Sequence, residues 1–163
     1  MFGNSVKRLE QLLLALWTGS MVGVGYIAAP VLFKTLDDRK LAGMLAGNMF
    51  GVIFIAGSVI GLVLLLLLIG RLGRSVFAQW RFWVLLVMWS LAMASLFVVQ
   101  PMMAELKSQG LLPGSEAAKQ FGMMHGVSSV MYMLTSLGGV VLVWAGLRKS
   151  EVNRPRSAIG GHI

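Results

Sequence analysis

Four long apolar runs without a charged side chain alternate with short polar segments along this 163-residue chain. The runs are residues 12–33, 49–70, 82–103 and 121–147. At 1.5 Å of helical rise per residue, each run is long enough to cross the roughly 30 Å hydrocarbon core of a bilayer. The pattern predicts an all-α membrane domain over residues 1–148, built as an integral membrane four-helix bundle.

Composition agrees with a protein whose main partner is the lipid bilayer. Hydrophobic residues make up 57% of the chain and charged residues 12%, with a mean hydropathy of +0.81, whereas a soluble domain carries about twice that charged fraction. Four spans leave no room for a separate soluble domain, and the polar residues 149–163 are expected to form a disordered tail. The chain has no cysteine, which excludes disulfides, zinc–thiolate sites, cysteine nucleophiles and cysteine-ligated iron–sulfur clusters.

The formal net charge is +8, and its distribution indicates a topology. The termini and the middle loop hold most of the basic residues: Lys7, Arg8, Arg71, Arg74, Arg81, Arg148, Lys149, Arg154 and Arg156. The other two loops hold the rest: Lys34, Arg39, Lys40, Lys107 and Lys119. Because Lys and Arg concentrate on the cytoplasmic side of membrane proteins, we expect a bacterial inner-membrane protein with both termini in the cytoplasm. Topology and anionic lipid explain the basicity, so no nucleic-acid partner is expected.

The last apolar run carries the candidate polar centre. His125, Ser128, Ser129, Tyr132 and Ser136 fall at i, i+3, i+4, i+7 and i+11, which places them on one helix face. Because an unsatisfied imidazole or hydroxyl costs several kcal/mol in hydrocarbon, this face is expected to turn inward. An ionisable residue inside a span marks a candidate functional site. The alternative is that these side chains only hold helices together by hydrogen bonds.

A shift of 71 positions superposes the first half of the chain on the second. The shift pairs Pro30 with Pro101, Phe50 with Phe121, Gly51 with Gly122, and Ser58 with Ser129. Each half contains two helices, so the repeat is parallel, about an axis along the membrane normal. The prolines are expected to end or kink their helices, and the paired glycines to have a structural role. Phe54 occupies the place of His125, which favours a site in the second half.

Two polar segments carry helix-start signals. Residues 35–38, Thr-Leu-Asp-Asp, have the form of a capping box, which predicts a short interfacial helix over residues 36–46. Ser115 follows a Pro-Gly turn and is predicted to cap the last helix.

Several short segments together form a recognisable set. They are Trp17-Thr18-Gly19, Ala29-Pro30-Val31-Leu32-Phe33, Ala42-Gly43, Phe50-Gly51, Gln100-Pro101, and Phe121 with His125-Gly126-Val127-Ser128. The set resembles the bacterial relatives of eukaryotic transmembrane protein 205, a family of small four-helix membrane proteins that is largely a domain of unknown function. In the family pattern an asparagine often follows the serine by about one turn, where this chain has Tyr132. The resemblance implies the topology and a shared polar centre, without an established reaction.

Two non-enzymatic functions fit the pattern. The parallel repeat and the polar helix face are typical of a small transporter, and the glycine-rich faces are typical of an accessory or scaffold subunit of a larger membrane complex. Four helices enclose little volume, so transport would require a homo-oligomer. The main expectation is that the protein is not an enzyme. Hydrolytic catalysis in particular is not expected, because no carboxylate lies in any apolar run to orient His125.

Two cofactor alternatives remain open beside the main expectation of no cofactor. Met102, Met103, Met124 and His125 lie near the outer ends of the last two runs, and thioether and imidazole ligands suit Cu(I), although methionine is also a common filler of apolar helices. The other alternative is an oxidoreductase that uses the same histidine, with a His–Met haem or with a quinone beside a His–Tyr pair. A haem with two histidine ligands is nearly excluded, because the second histidine, His162, lies in the tail on the opposite side from His125. No CxxCH motif for covalent haem attachment is present.

Overall fold

The computed structural model describes residues 2–152, with side chains described over residues 4–147. This part of the chain is helical and contains no strand. Its α-helices are α1 (Phe2–Val22), α2 (Ala29–Thr35), α3 (Arg39–Leu72), α4 (Trp80–Ala94), α5 (Gln100–Ser108) and α6 (Glu116–Val152). Two π-helical segments, Gly23–Ala28 and Ser95–Val99, join α1 to α2 and α4 to α5. A 3₁₀ segment, Gly73–Ala78, follows α3. Residues 149–152 of the predicted disordered tail continue α6, and the prediction for residues 153–163 lies outside the described residues.

Within the described part of the chain, four stretches of helix are long and apolar enough to cross a membrane. They are span 1 (Asn4–Thr35), span 2 (Arg39–Ala78), span 3 (Trp80–Ser108) and span 4 (Glu116–Leu147). The predicted all-α class and the four spanning helices are therefore confirmed. Large apolar side chains such as Leu12, Val52 and Leu137 lie exposed on the outside of the bundle, where lipid tails would cover them. The chain is a multi-pass membrane protein.

The four spans form a ring, because each packs against the next in sequence and span 1 also packs against span 4. Trp17 of span 1 and Trp89 of span 3 both press against span 2, where Gly57 and Gly61 leave room for the indole rings. A Cβ atom at either glycine would overlap an indole. Trp89 Nε1 also donates a 2.9 Å hydrogen bond to the Ser58 carbonyl. Small residues on span 2 thus let spans 1 and 3 approach it closely.

The two prolines lie at matched breaks in the helices. Immediately before each proline, a backbone N–H donates five residues back instead of four: Ala29 to the Val24 carbonyl, and Gln100 to the Ser95 carbonyl. A proline ring crowds the carbonyl four residues back and has no N–H, and the wider π turn accommodates it. The helix then continues through α2 and α5, so Pro30 and Pro101 do not end their helices. These two backbone hydrogen bonds are 71 residues apart, as the internal repeat predicts.

Other features recur at the same spacing. Ser58 Oγ and Ser129 Oγ each donate to the carbonyl four residues back, at 2.7 and 2.8 Å. Beyond the π turns, α2 packs on α3 and α5 packs on α6. We call this part of the bundle the proline end, and the opposite part, which contains Glu10, Arg71 and Arg81, the arginine end. At the proline end the ring thus becomes two helix pairs, one from each half of the chain.

The loops at the proline end correct one prediction and match another. Asp38 caps α3 through Oδ1, which accepts from Lys40 N at 2.8 Å and Leu41 N at 3.1 Å. The predicted separate helix over residues 36–46 is wrong, because α3 runs without a break from its cap to Leu72. Ser115 Oγ accepts from Ala118 N at 3.1 Å, so the predicted cap of the last helix is present.

Candidate functional site

The polar face predicted for span 4 divides into a buried part and an exposed part. Tyr132 and Ser136 are buried and Ser128 is half-buried, whereas His125 and Ser129 are exposed. The expectation that all five side chains share the interior is therefore wrong for His125 and Ser129. Residues 116–131 include no buried residue. The four-helix core ends near Tyr132, and beyond it the outer part of span 4 packs mainly on span 3.

Tyr132 is the centre of the buried part. Its hydroxyl donates a 2.6 Å hydrogen bond to the Met21 carbonyl of span 1, shortly before the first π-helical segment. Its ring meets Phe50 and Phe54 of span 2 edge to face, with ring centroids 5.0 and 6.0 Å apart. A Cβ atom at Gly25 would overlap the Tyr132 ring. One side chain thus joins spans 1, 2 and 4, and it bonds backbone beside a helix irregularity, as polar side chains commonly do in membranes.

A second hydroxyl pair lies next to Tyr132. Ser136 Oγ donates to the Met133 carbonyl at 2.9 Å, so the Tyr26 hydroxyl is the donor in its 2.8 Å bond to Ser136 Oγ. The rings of Tyr26 and Tyr132 have centroids 6.4 Å apart. The hydroxyls of Tyr132, Tyr26 and Ser136, which we call the Tyr132 cluster, each have a protein partner. Its geometry therefore supports the structural alternative, in which the polar face of span 4 holds helices together.

Three further buried hydroxyls, those of Thr18, Ser95 and Thr135, were not among the residues predicted for the polar centre. Thr135 Oγ1 donates to the Met131 carbonyl at 2.8 Å. Thr18 Oγ1 and Ser95 Oγ have no hydrogen-bond partner among the described residues, with Thr18 5% and Ser95 1% exposed. Thr18 packs against Gly139 of span 4, where a Cβ atom would overlap it. Ser95 begins the second π-helical segment. A single hydroxyl in an apolar run is ordinary in membrane helices, so the pattern of polar positions did not predict that Thr18 and Ser95 would be buried.

His125 belongs to the exposed part, near the proline end of span 4. Its ring stacks on Phe121, with centroids 6.3 Å apart and ring planes 9° apart. The ammonium of Lys107, on α5, lies 5.5 Å from the centroid of the Phe121 ring. His125 lies four residues, about 6 Å, inside the apolar run that begins at Phe121. The imidazole is thus outside the helical core, close to the start of the last apolar run.

Two glycines accompany His125 on this surface. A Cβ atom at Gly122 or Gly126 would meet no atom within 4 Å. Together with His125 and Ser129 they share one exposed helix face, which we call the span 4 outer face. Gly51, the repeat partner of Gly122, is likewise open. The paired glycines therefore do not mark helix contacts inside one copy of the chain.

The methionines proposed as soft-metal ligands have mixed positions. Met102 is exposed, whereas Met103 and Met124 are half-buried. Among the side chains described over residues 4–147, no three His, Cys, Asp or Glu residues are grouped closely enough to hold a metal ion. A copper site of thioether and imidazole ligands, and a haem or quinone site at His125, stay predictions.

The arginine end contains a charged group that the sequence analysis counted only as loop charge. Arg71 donates to Glu10 from Nε and Nη2, at 3.0 and 2.8 Å. Arg81 Nη2 donates to the Ala145 carbonyl at 2.6 Å, and Gln11 Nε2 donates to the Gly146 carbonyl at 3.3 Å. A cavity of about 80 Å³ lies among these side chains. The available signal was that Glu10 shortly precedes the first apolar run and Arg71 directly follows the second, which places both residues at the same end of one helical hairpin.

Comparison with known proteins places the chain in a family without assigning a reaction. A family model described as "Domain of unknown function (DUF4149)" matches residues 12–111. Comparisons with curated proteins and with solved structures gave no match. The matched segment covers spans 1 to 3, including the first proline and its repeat partner, and it ends before the span 4 outer face. Since the match extends over more than half of the chain, this protein belongs to the DUF4149 family.

Proposed function

We propose that the protein is a non-enzymatic membrane subunit that acts by helix-to-helix association within the bilayer. The observation that carries the proposal is the span 4 outer face, Gly122, His125, Gly126 and Ser129, which lies exposed where the four-helix core has ended. The interior of the bundle supports the same conclusion, because the hydroxyls of the Tyr132 cluster already form hydrogen bonds between spans. The proposal includes no cofactor and no nucleic-acid partner.

The chemistry of this face favours a protein partner over lipid. An imidazole at membrane depth finds no hydrogen-bond partner among lipid tails. Gly122 and Gly126 form a small-xxx-small pair, which lets a second helix backbone approach closely. Ser129 already donates to the His125 carbonyl, yet its oxygen can still accept a hydrogen bond. The partner is a transmembrane helix of a second copy or of a larger membrane complex.

The proposal also covers relationship and location. The similarity of the His125 segment and the proline segments to bacterial relatives of transmembrane protein 205 supports a distant relationship to that family. The excess of Lys and Arg at the arginine end supports the bacterial inner membrane with both termini in the cytoplasm. The proline end, with His125, then faces the periplasmic side.

Cross-linking in native membranes tests the association, and the cysteine-free chain allows single-cysteine reporters. Met133→Cys lies beside the span 4 outer face and is exposed, while Val59→Cys is an equally exposed control on span 2. A photo-activated maleimide on Met133→Cys is expected to form one discrete adduct, identified by mass spectrometry. Adding Gly126→Leu, which has open space within one copy, is expected to abolish it. No adduct, or equal adducts from both reporters, would contradict the proposal.

Transport is the second candidate, favoured by the matched π turns. Transporters often place irregular helices near the membrane centre, where two repeats move against each other. Val31 on α2 and Met102 on α5 are exposed, related by the 71-residue repeat, and lie beyond the two π turns. Spin labels on Val31→Cys with Met102→Cys would give two distance populations for a transporter. A rigid subunit is expected to give one, and that is the result we predict.

A further inference from the structure

We propose that the arginine end binds one phosphate group in the cavity between Arg71 and Arg81. The ligand chemistry is a phosphate oxyanion, carried by the headgroup of an anionic phospholipid or by free inorganic phosphate. This site is separate from the span 4 outer face, so it neither depends on the proposed association nor is excluded if that association fails.

All four spans contribute to the wall of this cavity. Span 1 supplies Glu10 and Gln11, span 2 supplies Arg71, span 3 supplies Arg81, and span 4 supplies Leu142 and Gly146. The volume of about 80 Å³ corresponds to two or three water molecules at roughly 30 Å³ each. The cavity is therefore large enough for a small oxyanion, and its wall combines polar tips with apolar sides, as expected of a preformed site.

The hydrogen bonds hold both guanidinium groups in fixed positions while leaving donors free. Arg71 uses Nε and Nη2 for Glu10, and Arg81 uses Nη2 for the Ala145 carbonyl. Among the side chains described over residues 4–147, no acceptor bonds Nη1 of either arginine, nor Nε of Arg81. Guanidinium groups with fixed geometry and free N–H donors are the groups that proteins use for phosphate oxygens.

The charges in the cavity favour an anion. Two guanidinium groups and one carboxylate line it, so one positive charge has no partner in the wall. Glu10 pairs with Arg71, whereas the half-buried Arg81 donates to a neutral acceptor, the Ala145 carbonyl. A charge that is partly removed from water is stabilised by a direct counter-ion. Arg81 also lies over the Trp80 ring, with its guanidinium carbon 5.8 Å from the centroid, an arrangement suited to the membrane–water interface.

Binding measurements on the full-length protein test the site. The purified chain would be placed in nanodiscs of phosphatidylcholine with or without phosphatidylglycerol, and separately titrated with inorganic phosphate in phosphatidylcholine alone, with thermal unfolding as the readout. Arg81→Gln is expected to lower the affinity for the stabilising anion about tenfold, which is the effect of about one charge-assisted hydrogen bond. Arg74→Gln removes the same charge from an exposed residue of the same loop and is expected to change affinity less than twofold.

A variant of opposite sign separates binding from folding. Glu10→Gln removes the carboxylate that competes for Arg71, so anion binding is expected to tighten even though an ion pair is lost. Stabilisation by phosphatidylglycerol alone identifies a lipid headgroup, and stabilisation by inorganic phosphate identifies the free ion. Equal weakening by Arg81→Gln and Arg74→Gln, weaker binding in Glu10→Gln, or no stabilisation by either anion would overturn the proposal.

Discussion

Single hydroxyl groups determine how the spans of this protein meet. Tyr132 is the clearest case, because its hydroxyl reaches the Met21 carbonyl on another span while its ring packs on Phe50 and Phe54. The carbonyl lies near the first π turn, where helix hydrogen bonding is irregular. The Tyr132 hydroxyl supplies this carbonyl with a hydrogen-bond donor, which lipid tails cannot supply.

Tyr132→Phe is expected to destabilise the bundle by about 1–2 kcal/mol, because it leaves the Met21 carbonyl without its side-chain donor. Tyr26→Phe is the matched control. It also loses one hydroxyl, but Ser136 keeps its bond to the Met133 carbonyl, so a smaller loss is expected. Unfolding in mixed detergent micelles, followed by circular dichroism, measures both. Equal losses of stability would show that the hydrogen bond to the Met21 carbonyl contributes no more than the hydrogen bond to Ser136.

The sequence identified some of these residues and misplaced others, for a geometric reason. Helical spacing correctly aligned Tyr132 with Ser136, since both face the interior. The same spacing put His125 on that face, but burial also requires a neighbouring helix, and the core has ended at that level. Thr18 and Ser95 were missed because their burial depends on which helix lies opposite, which a single sequence does not contain.

Helical elements in this protein are modified where proline enters them. Pro30 and Pro101 were correctly marked as irregular points by the sequence, yet the form of the irregularity, a π turn followed by more helix, depends on backbone packing. α3 shows the opposite case, in which a helix continues where the sequence predicts that it ends. The capping box at residues 35–38 predicts a helix that starts at Thr35, whereas Thr35 ends α2 and Asp38 caps α3. Nothing after Asp38 breaks the helix, because Ala42 and Ala46 are buried against neighbours.

Replacing either proline by alanine is expected to convert its π turn into regular α-helix. The new N–H restores a backbone bond, and an interior proline costs about 3 kcal/mol in an ordinary helix. We therefore expect slower amide exchange over residues 23–30 in Pro30→Ala and over residues 95–101 in Pro101→Ala, by about tenfold or more. Pro113→Ala, in the loop before α6, is the control and should leave both segments unchanged. Hydrogen exchange with mass spectrometry is the measurement; unchanged exchange would show that neighbouring spans impose the π turns.

At the scale of the whole molecule, the sequence predicted the number of spans because hydropathy is a local property. The order of helices around the ring, the separation into pairs at the proline end and the cavity at the arginine end all depend on contacts between residues far apart in the chain. Arg71 and Glu10 are 61 positions apart, and no local pattern connects them.

The proposed orientation predicts which loops a reagent can reach from outside the cell. In a chain without native cysteine, Gln109→Cys lies in the loop before α6 and Arg74→Cys lies in the 3₁₀ segment after α3. A membrane-impermeant maleimide should label Gln109→Cys in spheroplasts and Arg74→Cys only after the membrane is disrupted. The reverse pattern would place the arginine end outside.

The ring of four spans has a consequence for how such a chain could arise. Neighbouring spans contact each other equally well whether they come from the same half or from different halves. Two copies of a two-helix chain with one pre-proline π turn could therefore close the same ring as a homodimer. Gene duplication and fusion of that ancestor would leave the 71-residue repeat, and would free the second half to acquire His125 where the first half retains Phe54.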